Sequence, residues 1–387
     1  MDNHKKHVKF YNRVLRLLGG TIRRRFGYEC DDLRKIEGPY LVLSNHNTDI
    51  DPGFVGLAFG QHMYFVASEH IMHKGKLSEF IKENVDPIVH LKSGSGIRTT
   101  KEMLKRLGAG YNVCMFPEGN RSFNGLTYDI PEVVGRLAVK CKCKVITFRL
   151  TGGYFTEPRW GTGFRQGRME GRLVHIYEPE ELREMTAEEA YQAICNDLYE
   201  DAYATQEQKP VKYKGKSLAR GLETTLFRCP TCGRYQTLRS DDNYLHCDAC
   251  DFRVKYDELC WLTDAEGNKH SVTEYDLAQR QALESFDGSF EDRVEVVHFD
   301  KDHKVTKRYN GTLRVSKTEG SILPDANKNQ EAVAIDIDYA QLHGMAIYSN
   351  NKLTISYGQD EEHIEIYGNE SFNALKYLYL YKLSVKK

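Results

Sequence analysis

An imidazole and a carboxylate lie close together in the segment LVLSNHNTDIDPGF, residues 41–54. An apolar run ends at Ser44, and His46 and Asp51 follow it before Pro52. A carboxylate beside one imidazole nitrogen fixes the tautomer and leaves the other nitrogen to act as a general base. Asp before Pro is also typical of a helix start, with Asp51 as the N-cap. The segment therefore indicates either a proton-transfer pair or a helix cap beside a surface histidine.

A second group of polar residues follows an apolar run in NVCMFPEGNRS, residues 112–122. An arginine such as Arg121 can bind a phosphate through two parallel hydrogen bonds, and Gly119 lets backbone amides approach a ligand or a developing oxyanion. Ligands of open α/β sheets bind outside the carboxyl ends of the strands. The segment predicts an anion site, and the alternative is an ordinary turn with Arg121 on the surface. Cys114 lies within the apolar run and is predicted to pack there.

Together, the NH-x4-D and FPEG-x-RS segments resemble the glycerolipid acyltransferase family, in particular 1-acylglycerol-3-phosphate acyltransferases. The resemblance covers roughly residues 5–205 and includes the segment WGTGFRQGR at 160–168. It implies that His46 is the catalytic base and Asp51 its partner. It also implies a block that binds the glycerol phosphate of the acceptor, formed by Phe116, Pro117, Glu118, Gly119 and Arg121.

Two stretches depart from the pattern of this family. Its second block usually contains one Arg in a stretch like I-D-R, whereas this chain has PIVHLKSGSGIR. Lys92 is the nearest cationic substitute there, with His90 and Arg98 as alternatives. Arg149, in KVITFRLTGGY, replaces an apolar residue or a proline. Because a Lys presents a point charge rather than a planar fork, the resemblance defines the reaction more closely than the acceptor headgroup.

The resemblance implies direct acyl transfer without an acyl-enzyme intermediate. His46 takes the proton of the acceptor hydroxyl, which attacks a thioester of acyl carrier protein or coenzyme A, and Asp51 stabilises the imidazolium. The expected acceptor is 1-acylglycerol 3-phosphate and the product is phosphatidic acid, in phospholipid biosynthesis. Glycerol 3-phosphate or another lysolipid stays open as the acceptor. No catalytic cofactor is expected.

Four cysteines have the spacing of metal ligands: Cys229-x2-Cys232-x14-Cys247-x2-Cys250. Two CxxC pairs at this separation resemble a zinc ribbon, and Gly233 gives the first pair room for its turn. Four thiolates leave no open coordination position, so the expected zinc is structural. His246 is interpreted as a bystander. The other cysteines are scattered, which favours a reducing cytoplasm over disulfide bonds.

The residues of the two acyltransferase segments lie in a region where short apolar runs alternate with helical patterns. Strands are predicted at 40–44, 63–66, 112–116, 144–150 and 172–177, and helices at 99–107, 131–139 and 187–204. This alternation favours an α/β fold with a largely parallel or mixed sheet flanked by helices. The predicted organisation is a basic helix at 1–28, an acyltransferase domain at 29–205, a linker at 206–225, the zinc ribbon at 226–258 and a β-rich domain at 259–387.

The β-rich domain is predicted from six apolar stretches and a final helix. The strands fall at 295–299, 311–315, 332–337, 345–348, 352–357 and 363–367, and the helix at 371–383. This order of elements loosely resembles pleckstrin-homology-like domains. Such a domain could bind lipid headgroups, bind a partner protein or only pack.

The charge is uneven along a chain whose formal net charge is −1. Residues 1–28 hold eight basic residues against Asp2 alone, a local charge of +7. An amphipathic helix of this kind can dock on an anionic membrane, or it can be a packing helix with a solvated face. No segment is long and apolar enough to span a bilayer. The expected location is therefore cytoplasmic, peripheral on the inner face of the cell membrane.

A different class of function is a zinc-ribbon scaffold or nucleic-acid adaptor with a vestigial acyltransferase domain. The presence of His46, Asp51, Glu118 and Arg121 argues against decay of the catalytic domain. The ribbon also lacks a run of basic residues with interleaved aromatics, and four aspartates lie in or beside it. No nucleic-acid partner is expected.

Overall fold

A computed structural model describes residues 3–73, 75–90, 96–300, 303–325, 334–349, 352–357 and 363–385. The chain forms two compact units. The first contains Met1–Arg159 and Gly163–Gly215, and the second contains Trp160–Thr162 and Lys216–Lys387. Among the described residues, no helix is both long and apolar enough to cross a membrane.

A mixed seven-stranded sheet forms the centre of the first unit. Its strands are β1 (Tyr28–Cys30), β2 (Tyr40–Ser44), β3 (Met63–Ser68), β4 (Ile88–His90), β5 (Asn112–Met115), β6 (Lys144–Thr151) and β7 (Met169–Tyr177). Their spatial order is β1-β7-β6-β2-β5-β3-β4. Neighbouring strands run parallel except for β6 and β7, which are antiparallel. The mixed sheet confirms the predicted α/β class.

Helices cover both faces of this sheet. They are α1 (Asn3–Phe26), α2 (Asp51–Phe59), α3 (Lys76–Asn84), α4 (Ile97–Gly108), α5 (Val133–Lys140), α6 (Gly153–Thr156), α7 (Pro179–Glu184), α8 (Ala187–Leu198) and α9 (Ala202–Gln208). Side chains alternate between the faces of the central strand β2. Tyr40 and Val42 pack with Phe54 of α2, whereas Leu41 and Leu43 join the core that contains α5 and α8. Burial on both faces explains the continuous apolar run of β2.

The helix predicted at 187–204 is two helices, α8 and α9. Tyr199 and Asp201 have extended backbone, with ψ of 125° and 103°, and this breaks the helical hydrogen bonding. The Asp201 carboxylate then caps α9 by accepting from the amide of Ala204 at 3.0 Å. The intervening residue is Glu200, which is buried. Apolar residues recur at helical spacing on both sides of the break, so the sequence predicted one continuous helix.

The second unit contains two antiparallel sheets. One has the order β12-β11-β10-β9-β8, with β8 (Leu238–Asp241), β9 (Tyr244–Cys247), β10 (Arg253–Tyr256), β11 (Leu262–Thr263) and β12 (Lys269–His270). The helix α10 (Val272–Glu284) follows it, within the predicted β-rich domain and before its first predicted strand. The other sheet has the order β16-β15-β14-β13-β19-β18-β17. This sheet confirms that the C-terminal half of the chain is rich in β structure.

The strands of the larger sheet are longer than predicted in its central hairpin. They are β13 (Phe290–Phe299), β14 (Val305–Val315), β15 (Gly320–Pro324), β16 (Ile335–Ile337), β17 (Leu342–Ser349), β18 (Lys352–Tyr357) and β19 (His363–Tyr367). The first residues of the strand predicted at 332–337 lie outside the described residues. The final helix α11 (Ala374–Val385) begins three residues later than predicted and is buried all round in its first two turns. Its Lys376 is accommodated there because its ammonium group donates to Asp292.

Candidate functional site

The loop between β2 and α2 brings His46 and Asp51 together. The Nδ1 atom of His46 lies 2.9 Å from Oδ2 of Asp51. The Asp51 side chain is fully buried, whereas that of His46 is 22% exposed. No hydrogen bond to Nε2 of His46 is present among the described residues. The carboxylate therefore orients the ring through one nitrogen and leaves the other for a reacting group.

Asp51 does not cap α2, contrary to the sequence-based expectation. Asp51 is the first helical residue, Pro52 follows it, and Ile50 occupies the cap position without a side-chain hydrogen bond. The Asp51 carboxylate turns back into the loop. Its Oδ2 accepts from the amides of Asn47 at 2.7 Å and Thr48 at 2.9 Å, and its Oδ1 accepts from the Thr48 hydroxyl at 2.5 Å. These donors fix the carboxylate in the orientation that faces His46.

The segment after β5 holds the backbone of His46. Glu118 Oε1 accepts from the amide of His46 at 2.6 Å, and its Oε2 accepts from the amide of Tyr128 at 2.5 Å. Burial raises the pKa of Glu118 well above its usual value, and the two amides oppose that shift. The amide of Ser122 donates to the carbonyl of His46 at 3.1 Å. Both backbone polar groups of His46 are therefore bonded to the FPEG segment.

Phe116 and Gly119 shape the same segment. The Phe116 ring stacks on the imidazole of His46, with 4.7 Å between centroids. Gly119 has φ of +63°, a left-handed backbone that glycine adopts at little cost. Its amide donates to the carbonyl of Phe116 at 3.2 Å and closes the turn. Pro117 between them is buried.

Arg121 lies between two carboxylates. Its Nη1 is 3.1 Å from Oε1 of Glu157, and its Nε is 3.4 Å from Oδ1 of Asp49. The Arg121 side chain is 16% exposed and that of Glu157 is 14% exposed, whereas that of Asp49 is 73% exposed. Burial raises the pKa of Glu157, and the positive charge of Arg121 opposes the shift. Asp49 is therefore the partner that an incoming anion can displace more readily.

The second block, which the sequence predicts to supply a cation, lies partly outside the described residues. Lys92 lies outside the described residues. Of the two alternatives, Arg98 is exposed in the first turn of α4, and His90 Nδ1 lies 3.2 Å from the hydroxyl of Thr99.

Arg159 is a buried cation near Arg121 that the sequence does not indicate. Its guanidinium lies 4.3 Å above the ring of Phe123, and its Nη1 donates to Oδ1 of Asn120 at 3.5 Å. Burial lowers the pKa of Arg159 to about 9, and the positive charge of Arg121 adds to the effect. A single Arg in the segment EPRW has no spacing that distinguishes it from a surface residue, so only the fold places it beside the FPEG segment.

The four predicted cysteine ligands meet in the second unit. Their sulfur atoms all lie within 4.8 Å of one another. Among the described residues, these four cysteines form the group of side chains that could hold a metal ion. The Sγ atoms of Cys229 and Cys250 are 3.6 Å apart, and those of Cys232 and Cys247 are 3.8 Å apart. A tetrahedron with Zn–S bonds of about 2.3 Å has edges of about 3.8 Å. The cluster therefore fits a structural metal of this size.

Backbone amides support the thiolates as in a metal knuckle. The amide of Cys232 donates to Sγ of Cys229 at 3.5 Å, and that of Ala249 donates to Sγ of Cys247 at 3.3 Å. Gly233 has φ of +73° at the turn of the first pair. His246 instead points its ring nitrogens toward Asp241 and Asp248, at 3.6 and 3.8 Å.

Comparisons with known proteins bear mainly on the first unit. Residues 24–151 match the sequence model of the family described as Acyltransferase. No curated protein matches the sequence. The chain is similar to the crystal structure of the 1-acyl-sn-glycerophosphate (LPA) acyltransferase PlsC from Thermotoga maritima, with 19% identity, a TM-score of 0.41, and coverage of 55% of this chain and 81% of that chain. The family match supports acyl transfer as the reaction class of the first unit.

Two further solved structures each match about a quarter of the chain. The Vps36 N-terminal PH domain is 12% identical, with a TM-score of 0.21 and coverage of 26% of this chain and 86% of that chain. The C-terminal domain of an unknown protein from Leishmania infantum is 9% identical, with a TM-score of 0.19 and coverage of 28% and 97%. These likenesses are too low to support an activity.

Proposed function

We propose that the first unit transfers an acyl group from a thioester of acyl carrier protein or coenzyme A to the free hydroxyl of 1-acylglycerol 3-phosphate. The product is phosphatidic acid, a precursor in phospholipid biosynthesis. The observation that carries the proposal is the His46–Asp51 pair at the carboxyl end of β2, with Nδ1 on the carboxylate at 2.9 Å. The match of residues 24–151 to the Acyltransferase family supports the same reaction class.

In the proposed reaction, Nε2 of His46 takes the proton of the acceptor hydroxyl as its oxygen attacks the thioester carbonyl. The carbon–sulfur bond then breaks, and the imidazolium returns the proton to the departing thiolate. Asp51 stabilises the imidazolium and keeps the proton of the neutral ring on Nδ1. Glu118 contributes by holding the amide of His46 at 2.6 Å, which fixes the base against the FPEG segment.

We assign the acceptor phosphate to the neighbourhood of Arg121. A phosphate there replaces the exposed Asp49 and leaves the less exposed Glu157 in contact with the guanidinium. Arg159 adds positive potential beside the segment, since its buried guanidinium contacts the ring of Phe123 and the side chain of Asn120. Lys92 of the second block stays a proposed second ligand of the phosphate.

We further propose that α1 docks the enzyme peripherally on an anionic membrane. One face of α1 packs on α2, with the Tyr11 hydroxyl donating to the carbonyl of Gly56 at 3.4 Å. Leu17 and Leu18 are nevertheless 68% and 51% exposed, and all eight basic residues of α1 are exposed. Exposed apolar side chains among cations are the composition that binds an anionic bilayer surface.

For the second unit, we propose that the four cysteines hold one structural zinc ion. The sulfur–sulfur distances of 3.6 and 3.8 Å match a thiolate tetrahedron. Zinc binding and folding are coupled in small modules of this kind. The ion has no assigned part in acyl transfer.

The deciding experiment is a panel of acceptors assayed with the full-length protein and a labelled acyl thioester. We expect 1-acylglycerol 3-phosphate to be acylated faster than glycerol 3-phosphate or a lysolipid without a phosphomonoester. His46→Ala, checked for folding by circular dichroism, should lose at least about a hundredfold in kcat because it removes the general base. Preference for another acceptor would redirect the substrate assignment. No transfer to any acceptor would refute the proposed reaction.

A further inference from the structure

Glu200 lies in the break between α8 and α9 and is 4% exposed. Its backbone is fixed by the turn that follows the FPEG segment: its amide donates to the Thr127 hydroxyl at 2.8 Å, and its carbonyl accepts from the Thr127 amide at 3.0 Å. A buried carboxylate requires hydrogen-bond partners to offset its loss of hydration. The partners of Glu200 are therefore informative about its role.

The partners of Glu200 lie on both sides of the proposed base. Its Oε2 accepts from the side-chain amide of Asn45 at 3.0 Å and from that of Asn47 at 2.7 Å. Its Oε1 faces the amide of Gly152 at 3.3 Å, just beyond β6. Asn45 and Asn47 are the residues immediately before and after His46. The Glu200 carboxylate thus connects Asn45 and Asn47, on either side of His46, to Gly152 just beyond the end of β6.

We propose that Glu200 is a positioning residue for His46, acting through Asn45 and Asn47. This inference rests on the proposed role of His46 as the general base. Among the described residues, no hydrogen bond joins Glu200 to the imidazole of His46. Glu200 fixes the position of the loop between β2 and α2, and with it the position of the His46 imidazole.

Asn47 explains how the side chain of Glu200 reaches the catalytic geometry. Its side-chain amide donates to Glu200 at 2.7 Å, and its backbone amide donates to Oδ2 of Asp51, also at 2.7 Å. The same Oδ2 contacts Nδ1 of His46. Asn45 is held independently, since its side chain also exchanges hydrogen bonds with the backbone of Leu150 at 2.7 and 2.8 Å. Loss of Glu200 therefore frees Asn47 more than Asn45 and disturbs the contact between Asp51 and His46.

Charged groups surround this position from each neighbouring element. Burial raises the pKa of Glu200 to about 8, and the negative charge of Asp51 adds to the shift. The hydrogen bonds from Asn47 and Gly152 and the positive charge of Arg149 oppose it. Glu118 also faces Glu200, whose charge raises the pKa of Glu118. A neutral side chain at position 200 is thus compatible with the site, provided that it accepts the two asparagine amides.

The test compares Glu200→Ala with Glu200→Gln in the full-length protein. Gln keeps an oxygen that can accept from Asn45 and Asn47 but places an amide group opposite Gly152, whereas Ala removes the acceptor. We expect Glu200→Ala to lower kcat by about 10–100-fold with KM for the acyl thioester unchanged, since a misplacement of about 1 Å has an effect of this order. Glu200→Gln should recover most of that loss.

Two further variants separate positioning from general stability. Asp197→Ala is the matched control, because this carboxylate on α8 accepts from the hydroxyls of Thr147 on β6 and Tyr177 on β7, at 2.7 and 2.6 Å. It should lower the melting temperature without lowering kcat. Asn47→Ala combined with Glu200→Ala should lose no more activity than the worse single variant, because both substitutions break the same contact.

A direct readout keeps this inference separate from the proposed function. The imidazole of His46 is followed by NMR in protein labelled on histidine, with His46→Ala assigning its signal. Glu200→Ala should change the ring chemical shifts of His46, and Asp197→Ala should leave them in place. If the wild-type protein transfers no acyl group, the proposed function fails and the NMR comparison alone decides the positioning role. Unchanged ring shifts of His46, or a kcat loss in Glu200→Ala that Gln does not relieve, overturn it. If Glu200→Ala does not fold, the same comparison is made with Asn47→Ala.

Discussion

Replacement of Asp51 by Asn tests the central electrostatic contact of the proposed reaction. The geometry accepts this change: the amide oxygen can take the place of Oδ2, and the Thr48 hydroxyl, which donates to Oδ1 at 2.5 Å, can rotate to accept from the new amide group. The imidazole contact at 2.9 Å is then retained without its negative charge. The variant therefore isolates charge from position.

The magnitude follows from the separation of the two groups. Two unit charges 2.9 Å apart interact by about 6 kcal/mol at an effective dielectric constant of about 20. This is the upper limit of the stabilisation lost from the imidazolium, and it corresponds to a decrease in kcat of about 10⁴-fold. Because proton transfer is incomplete in the transition state, we expect a decrease between about 10³- and 10⁴-fold, with little change in KM for either substrate.

The assay is steady-state transfer from a labelled acyl thioester, with thermal unfolding measured alongside it. Thr48→Val is the matched control, since it removes the hydrogen bond to Oδ1 and keeps the carboxylate; we expect it to lose less than about tenfold in kcat. Retention of more than a tenth of wild-type kcat by Asp51→Asn would refute the view that this carboxylate stabilises a charged imidazole.

Further outcomes follow from other parts of the chain. Arg121→Ala should raise KM for the lysophospholipid by about 10–100-fold, the effect of one charge-assisted hydrogen bond, and leave KM for the acyl donor unchanged; equal changes would move Arg121 out of the headgroup site. Leu17→Ser with Leu18→Ser should weaken co-sedimentation with anionic vesicles while preserving the fold, and undiminished binding would assign docking to another surface. Metal analysis should find one zinc per chain, lost in Cys232→Ser and kept in Cys260→Ser; a zinc-free native protein would contradict the ribbon. Because folding raises the pKa of Glu200 to about 8, the folded state binds more protons than the unfolded state between about pH 4.5 and 8, so this residue makes stability fall as pH rises through that range. Glu200→Gln should flatten the fall in melting temperature over this range, and an unchanged slope would exclude Glu200 as its source.

Local patterns of the sequence were sufficient to predict the strands that carry the candidate site. β2 matches its predicted bounds, and β5 and β6 each end within one residue of them. Because both faces of β2 are buried, its apolar residues form a continuous run, and the length of that run and the polar loop after it all indicate the same strand. The pairing of His46 with Asp51 is also local, since the two residues are five positions apart in the sequence.

The N-cap assigned to Asp51 was wrong for a reason that sequence alone does not reveal. Asp followed by Pro satisfies the general pattern of a helix start, and α2 does start there. Four groups in the preceding loop compete for the carboxylate: the amides of Asn47 and Thr48, the Thr48 hydroxyl and the ring of His46. The side chain therefore faces the loop instead of the helix amides. The pattern predicted the position of the helix but not the orientation of its first carboxylate.

Glu200 could not be predicted because its contacts are distant in sequence. It is 155 residues from Asn45 along the chain and lies in a stretch with helical periodicity. The extended backbone on either side becomes visible only in the structure. Arg159 is similar, since its place beside Arg121 depends on how the segment after β6 returns to the FPEG segment.

Three buried carboxylates surround the proposed base, and their contacts divide the tasks among them. Asp51 contacts the ring of His46, Glu118 holds its amide, and Glu200 holds the neighbouring asparagines. Burial and the neighbouring negative charges raise the pKa of both Glu118 and Glu200. Positive charge develops only on the imidazole during the proposed proton transfer, so a negative charge assists catalysis only at Asp51. The two glutamates need to accept hydrogen bonds rather than to carry charge, which is why Gln is the informative substitution at Glu200 and Asn at Asp51.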